Sequence, residues 1–160
     1  MIVVELPGEP IGKGRPRFRP VTTKTGRSFV NAYTPAKTRS YERALAITAK
    51  TAMRGQRPLS GPLAVTVTAF MTIPASWSAK KRDAALAGAV RPGRPDVDNI
   101  FKGAADALNG IVFDDDSQIV DARIMKVYAE SPLLRIEVRE AQALLFAAAN
   151  SGDTGNKDAA

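Results

Sequence analysis

An alternation of apolar with small or polar side chains from Leu63 to Thr72 restricts the fold of this chain more than any other feature. Apolar side chains occupy every second position from Leu63 to Met71, and the positions between them carry mostly Ala and Thr. Successive side chains of a strand point to opposite faces of a sheet, so the pattern predicts a long strand that ends before Pro74. The chain must therefore contain a β-sheet with one face on a core.

The flanking segments add strands and helices, which predicts an α+β fold: a small mixed sheet with a C-terminal antiparallel hairpin, packed by helices. Residues 2–6 alternate as a first strand. A helix is expected from Thr34-Pro35, as N-cap and first helical residue, to near Gly55, and a shorter one from Ser76 or Ser78 to about Gly88. The hairpin joins residues 118–128 to residues 134–139 through Ser131-Pro132. Residues 140–149 predict a terminal helix.

The length of 160 residues fits one domain. We place it at residues 1–140, followed by a C-terminal extension over 141–160 that is partly disordered. No apolar run reaches the roughly 18 residues of a membrane span, and no signal peptide is present, so we expect a cytoplasmic protein without a membrane partner.

The absence of Cys and His excludes several kinds of site. Disulfides, thiolate zinc sites and a Cys nucleophile are impossible, and the commonest general base is missing. A catalytic metal would need oxygen ligands, which favours Mg²⁺, with Mn²⁺ able to substitute.

Positive charge is concentrated in the N-terminal part. Residues 1–60 carry 12 Lys or Arg against three Glu, or +9, whereas the remainder carries −2. Such asymmetry favours a polyanionic partner over the plainer alternative of a solvated basic surface. We expect DNA backbone contacts from an extended arm and a second loop: Lys13, Arg15, Arg17 and Arg19, with Arg91 and Arg94. Phe18 either stacks on an exposed base or anchors the arm to the core.

An acidic stretch interrupts this basic chain between Arg94 and Val120. It holds six of the 16 acidic residues, and five of these six form two tight groups: Asp96 with Asp98, and Asp114-Asp115-Asp116. A helix between the groups carries Lys102 and stops at Asn109-Gly110, and Asp98 is well placed to cap it.

Carboxylates in this pattern suit phosphodiester hydrolysis. A divalent cation removes their mutual repulsion and neutralises phosphoryl oxygens, and a nearby Lys can contact the phosphate. Taken singly, Asp98 is explained as a helix cap, Asp114 to Asp116 are better explained as a polar turn before a strand, and Lys102 is explained as an ion-pair partner of Asp98 or Asp106. The combination in a basic chain favours a metal site.

The motifs of this stretch resemble those of the RusA family of Holliday junction resolvases. The matching residues run Pro95-Asp96-Val97-Asp98-Asn99-Ile100 with Lys102, then Asp106 to Gly110, then Asp115-Asp116-Ser117-Gln118. The GKGRPR opening and Lys126 also suit the family. The resemblance covers about residues 1–140. It implies a RusA-like fold, a homodimer and Mg²⁺-dependent cleavage of branched DNA.

The resemblance also implies individual roles. Asp96, Asp98 and Asp116 match the catalytic metal ligands, with Asp115 as a neighbouring ligand or an alternative to Asp116. Lys102 matches the catalytic Lys. Asp114 fits turn chemistry, and Asp106 fits a helix-surface partner for Lys102.

The expected activity is resolution of four-way junctions by paired symmetrical nicks during DNA recombination and repair, by a bacterial or phage-encoded enzyme. The alternatives are a flap or other branched-DNA nuclease, and a non-catalytic nucleic-acid-binding module.

Overall fold

A four-stranded mixed sheet carries the core of the protein. The computed structural model describes residues 1–141. Across the sheet, the order is β1 (Ile2–Pro7), β6 (Leu133–Glu140), β4 (Leu63–Thr72) and β5 (Ile119–Ala129). Two further strands, β2 (Arg17–Thr22) and β3 (Ser28–Tyr33), form a separate hairpin. The helices are α1 (Ala36–Met53), α2 (Ala79–Leu86) and α3 (Val97–Leu108), with a short 3₁₀ turn at Asp116–Gln118.

Strand β4 is the most buried element of the sheet, as its alternation predicts. Leu63, Val67 and Ala69 are fully buried, and Ala64 on the opposite face is buried too. A strand buried this deeply needs hydrogen-bond partners along both edges, because unpaired backbone groups away from water are costly. It pairs in parallel with β5 and antiparallel with β6.

This pairing corrects the predicted C-terminal hairpin. Strands β5 and β6 are consecutive and run antiparallel, but β4 lies between them: Thr66 is paired with Arg123 on one side and with Glu137 on the other. Glu130–Pro132 connects them across that strand. Three extended residues reach about 10 Å, which equals two strand spacings. The mixed α+β architecture is confirmed, whereas the direct pairing of β5 with β6 is wrong.

Helices α1 and α3 cover one face of the sheet and pack against each other. Leu45 and Ala49 from α1 join Ile100 and Leu108 from α3 in a single apolar core. Helix α1 starts at Ala36, with Pro35 in the N-cap position, one residue later than predicted. None of the helices within residues 1–141 is long and apolar enough to cross a membrane. Glu140, the first residue of the predicted terminal helix, is instead the last residue of β6. The rest of that helix beyond Ala141 and the tail lie outside the described residues.

Candidate functional site

The first acid pair lies at the start of α3. Asp96 occupies the N-cap position with an extended backbone (ψ 153°), and Asp98 lies in the first turn. The cap was predicted at Asp98, so the helix begins two residues earlier than expected. Neither carboxylate bonds to the helix end: Asp96 makes no capping hydrogen bond, and Asp98 accepts only a long one of 3.5 Å from Asn99. Both side chains are exposed and therefore accessible to a ligand.

The Gly12-Lys13-Gly14 motif packs the N-terminal loop tightly onto this helix. The Lys13 amide donates to the Asn99 carbonyl at 2.7 Å. A Cβ on Gly12 would lie 2.9 Å from the Pro95 Cβ, and one on Gly14 would lie 2.7 Å from Thr38 Oγ1. Both glycines are therefore required for the close approach of the loop.

Lys13 is held inside the chain by two carboxylates. Its ammonium lies 2.7 Å from Glu42 and 2.8 Å from Asp106. Burial alone would lower the pKa of Lys13, but the hydrogen bonds and charges of Asp106 and Glu42 outweigh this and raise that pKa. Lys13 thus fixes the loop between α1 and α3, a different position from the exposed arm expected of it. Asp106 pairs with Lys13 and not, as predicted, with Lys102.

A cleft of about 660 Å³ opens between the N-terminal loop and Asp96. Its lining carries two carboxylates and four cationic side chains: Glu9 and Asp96, with Lys13, Arg15, Lys37 and Arg94. Arg15 and Arg94 were predicted to contact DNA, whereas Lys37 was not among the predicted contacts. Such a cleft attracts a phosphate backbone towards Asp96.

The β2–β3 hairpin carries two arginines and two aromatic side chains on one face. Its register aligns Arg17 with Tyr33 and Arg19 with Asn31, and cross-strand partners share a face. Phe18 lies on the other face, and its side chain is 69% exposed, so it does not anchor the arm to the core. The aromatic side chains that share the arginine face are Tyr33 and Phe29, the latter paired with Val21, and only the paired register reveals this.

In the second acid group, Asp115 and Asp116 have different roles within a tight turn. Asp115 caps the 3₁₀ turn by accepting the Ser117 amide at 2.9 Å, and the Ser117 hydrogen bonds lower the pKa of Asp115. Gln118 completes a capping box. Asp116 is exposed and, within residues 1–141, makes no side-chain hydrogen bond or ion pair. Asp116 is therefore the better placed of the two to bind a ligand.

The two acid groups lie at opposite ends of α3. Lys126 donates to the Pro95 carbonyl, which places the far end of β5 beside Asp96, whereas Gln118 marks the near end of that strand. The strand between them spans about 20 Å at roughly 3.3 Å per residue. Helix α3, with 12 residues, spans about 18 Å. Asp96 and Asp116 of one chain are thus too far apart to share an ion.

No group of three or more acidic side chains suited to a metal ion occurs among the described residues. Asp96 and Asp98 lie two residues apart at the start of α3, and Asp115 and Asp116 are adjacent in the turn that precedes β5. Lys102 is exposed one helical turn after Asp98. Arg91 is exposed in the loop before Arg94.

Comparison with known proteins shows which family this chain belongs to. The sequence profile described as "Endodeoxyribonuclease RusA" matches residues 7–139, from the end of β1 to the end of β6. The chain belongs to the RusA endodeoxyribonuclease family. It is also similar to the uncharacterized protein YqaN of Bacillus subtilis (strain 168), with 37% identity over 139 residues, or 85% of this chain and 94% of that protein.

Two residues of this RusA family chain have structural roles that the sequence analysis did not assign. Gln118 accepts the amides of Asp114 and Asp115 and donates to the carbonyls of Leu59 and Gly61. Lys126 binds the loop before Asp96. Both belong to the motifs that resemble the RusA family, but only long-range packing reveals their partners.

Proposed function

We propose that this RusA family protein is a metal-dependent endonuclease that resolves Holliday junctions by paired symmetrical nicks, acting as a homodimer. The observation that carries the proposal is the exposed pair of Asp96 and Asp98 beside a cleft rich in cationic side chains. Carboxylates with no partner of opposite charge next to a phosphate-binding surface are the arrangement that hydrolysis of a phosphodiester requires.

Asp96 and Asp98 fit a divalent ion in donor type, because both offer carboxylate oxygens that are not taken up by capping. Mg²⁺ suits such donors, and Mn²⁺ can substitute. A divalent ion held there would supply neutralising charge and an activated water. Lys102, one turn further along α3, would stabilise the charge that develops on the phosphoryl oxygens.

The third carboxylate of the site comes, in this proposal, from a second copy of the chain. Asp116 lies too far from Asp96 of its own protomer, and residues 1–141 contain no three-carboxylate group. In a two-fold dimer, Asp116 of each protomer can lie beside Asp96 and Asp98 of the partner, which gives two equivalent sites. Two equivalent sites suit a four-way junction, which has near two-fold symmetry.

The basic side chains would hold the DNA. Arg15, Lys37 and Arg94 line the cleft, and Arg17 and Arg19 extend the positive surface along the hairpin. Contacts with phosphates make binding strongly dependent on salt.

The proposal is tested with a synthetic mobile junction in Mg²⁺ and in EDTA, mapping nicks on all strands. Wild type should make paired symmetrical nicks only with the metal. Asp98→Asn should lower the cleavage rate by at least about 100-fold, because the charge of the transition state is no longer stabilised. Junction binding should be retained. Cleavage by Asp98→Asn at the wild-type rate would rule out the assigned site.

Flaps and linear duplex serve as comparison substrates. Faster cutting of flaps than of junctions would favour a general branched-DNA nuclease, since the same acids could serve both. Salt-sensitive binding with no nicking of any substrate would indicate a non-catalytic binding module.

A further inference from the structure

Lys126 occupies an unusual position for a lysine near the end of an edge strand. Its ammonium donates to the Gly93 carbonyl at 2.5 Å and to the Pro95 carbonyl at 2.7 Å. The side chain is half-buried, on the face of the sheet that α1 and α3 cover, as its pairing with Ala69 requires. Nζ has no carboxylate partner within residues 1–141, so the two carbonyls are what this ammonium binds there.

The two carbonyls flank the residue that leads into the acid pair. Gly93 and Pro95 lie on either side of Arg94, and Pro95 precedes Asp96 directly. Of the three, only Pro95 is even partly buried. Within residues 1–141, Lys126 is the only side chain that donates to these two carbonyls. Charge-assisted hydrogen bonds are about twice as strong as neutral ones and are well suited to fixing the position of a loop.

We infer that Lys126 is a positioning residue for the nuclease site: it clamps the Gly93–Pro95 loop to β5 and thereby sets the direction in which the Asp96 and Asp98 carboxylates point. The clamp also fixes Arg94, which lines the cleft. Lys126 acts through the backbone and touches neither DNA nor metal. The effect on cleavage rests on the proposed function, whereas the clamp itself does not.

The consequence for chemistry follows from geometry. Ligands of a divalent cation must be held close to their working positions, and a loop that moves by about 1 Å can cost roughly 100-fold in rate. Without the clamp, both carboxylates remain, but they are less often in the geometry that binding a divalent cation requires. We therefore expect a lower maximal rate and a higher metal requirement, with junction affinity unchanged.

The experiment compares Lys126→Met with Arg123→Met in the full chain. Arg123 lies on the same strand with its side chain 64% exposed, so its replacement removes one positive charge without disturbing the loop. Both variants lose equal charge, which controls for weaker long-range attraction of DNA. Lys126→Arg, whose fork can donate to two carbonyls, tests rescue.

Two measurements are made. Hydrogen exchange of peptides covering residues 93–104, without DNA, should be at least about 10-fold faster in Lys126→Met than in wild type or Arg123→Met, because the amides that the start of α3 protects, beginning with Ile100 bonded to the Asp96 carbonyl, open more often when the loop is released. Junction cleavage should show a kcat at least about 10-fold lower, unchanged KM and more Mg²⁺ needed for half-maximal rate, all partly restored by Lys126→Arg.

Each outcome decides the inference. Exchange and cleavage like those of Arg123→Met would overturn it, and so would a loss confined to KM, which would make Lys126 a DNA contact. If wild type does not cleave, the proposed function fails, and loop exchange alone decides whether Lys126 is the clamp. If Lys126→Met does not fold, the polar but shorter Lys126→Gln, which cannot reach both carbonyls, is expected to give the same two effects.

Discussion

At the scale of single residues, two adjacent aspartates in the second acid group have separate tasks. Asp115 is committed to capping the 3₁₀ turn, while Asp116 is exposed. We expect Asp115→Ala to lower Tm with cleavage by the folded protein retained, and Asp115→Asn, which can still cap, to keep wild-type Tm. Asp116→Asn should keep Tm and lose at least about 100-fold in cleavage. Thermal melting and junction cleavage, both measured on each variant, distinguish the capping role from the ligand role, with Asp114→Ala as control. If Asp115→Asn lost cleavage and Asp116→Asn kept it, Asp115 would be the ligand.

Tyr41 provides a prediction about pH. Burial raises the pKa of Tyr41 to about 12, nearby Glu9 adds to the rise, and the Ile11 backbone acts in the opposite direction. The folded state therefore holds the phenol proton more tightly than the unfolded chain, in which Tyr titrates near pH 10. This stabilisation is complete below about pH 10 and is lost as the pH rises towards 12.

The comparison is between wild type and Tyr41→Phe in urea unfolding. The Tyr41 hydroxyl is buried without a hydrogen-bond partner of normal geometry, so Tyr41→Phe should match wild type near pH 7. Above pH 10 wild type should lose stability faster than Tyr41→Phe. Tyr33→Phe, at an exposed position, should show no such difference. Parallel pH profiles for wild type and Tyr41→Phe would contradict the burial effect.

At the scale of elements, Gln118 joins the loop before β4 to the turn before β5. Its side chain makes four hydrogen bonds, two as acceptor and two as donor. Gln118→Ala should lower the free energy of unfolding by roughly 2–3 kcal/mol, and Gln118→Glu by at least as much, because its carboxylate loses both donors and faces the Leu59 and Gly61 carbonyl oxygens. Urea unfolding measures both, and Gln56→Ala at an exposed site is the control. Equal stabilities for Gln118→Ala and Gln56→Ala would contradict this role.

Elements are also the scale at which sequence patterns were most and least informative. Strand β4 was predictable because its alternation is local and long, and the helix between the acid groups because it has a stop signal at Asn109-Gly110. The partner of β5 was not predictable. The alternation in β6 suits pairing with β4 as well as with β5, and only the need to pair both edges of β4 decides. Likewise, the Lys13 ion pair with Asp106 joins residues that are distant in sequence.

The same limit applies to the candidate site. The identity of its acidic residues followed from spacing and from the resemblance, since Asp96 and Asp98 are local to one helix start. Their distance from Asp116 depended on how β5 runs back along α3, which no local pattern contains. At the scale of the whole molecule, acidic residues that are close in sequence therefore form two separate pairs in the fold, one at each end of α3.

If a second chain completes each site, the activity of a mixed dimer can be predicted. We consider a dimer of one Asp98→Asn protomer and one Asp116→Asn protomer, isolated by different tags on the two chains. One site then combines both substitutions, whereas the other combines the intact Asp96–Asp98 pair of one protomer with the intact Asp116 of its partner. Such a dimer should recover about half of the wild-type nicking, because two-fold symmetry gives two equivalent sites.

Junction cleavage by this mixed dimer, by each homodimeric variant and by wild type is measured on one gel. Because only one site is intact, the mixed dimer should nick one strand and leave the paired cut incomplete, whereas both variant homodimers should be inactive. If each site instead drew all its carboxylates from one chain, both sites of the mixed dimer would carry a substitution and no nick would form. Since the two acid pairs lie at opposite ends of α3, we expect the single nick.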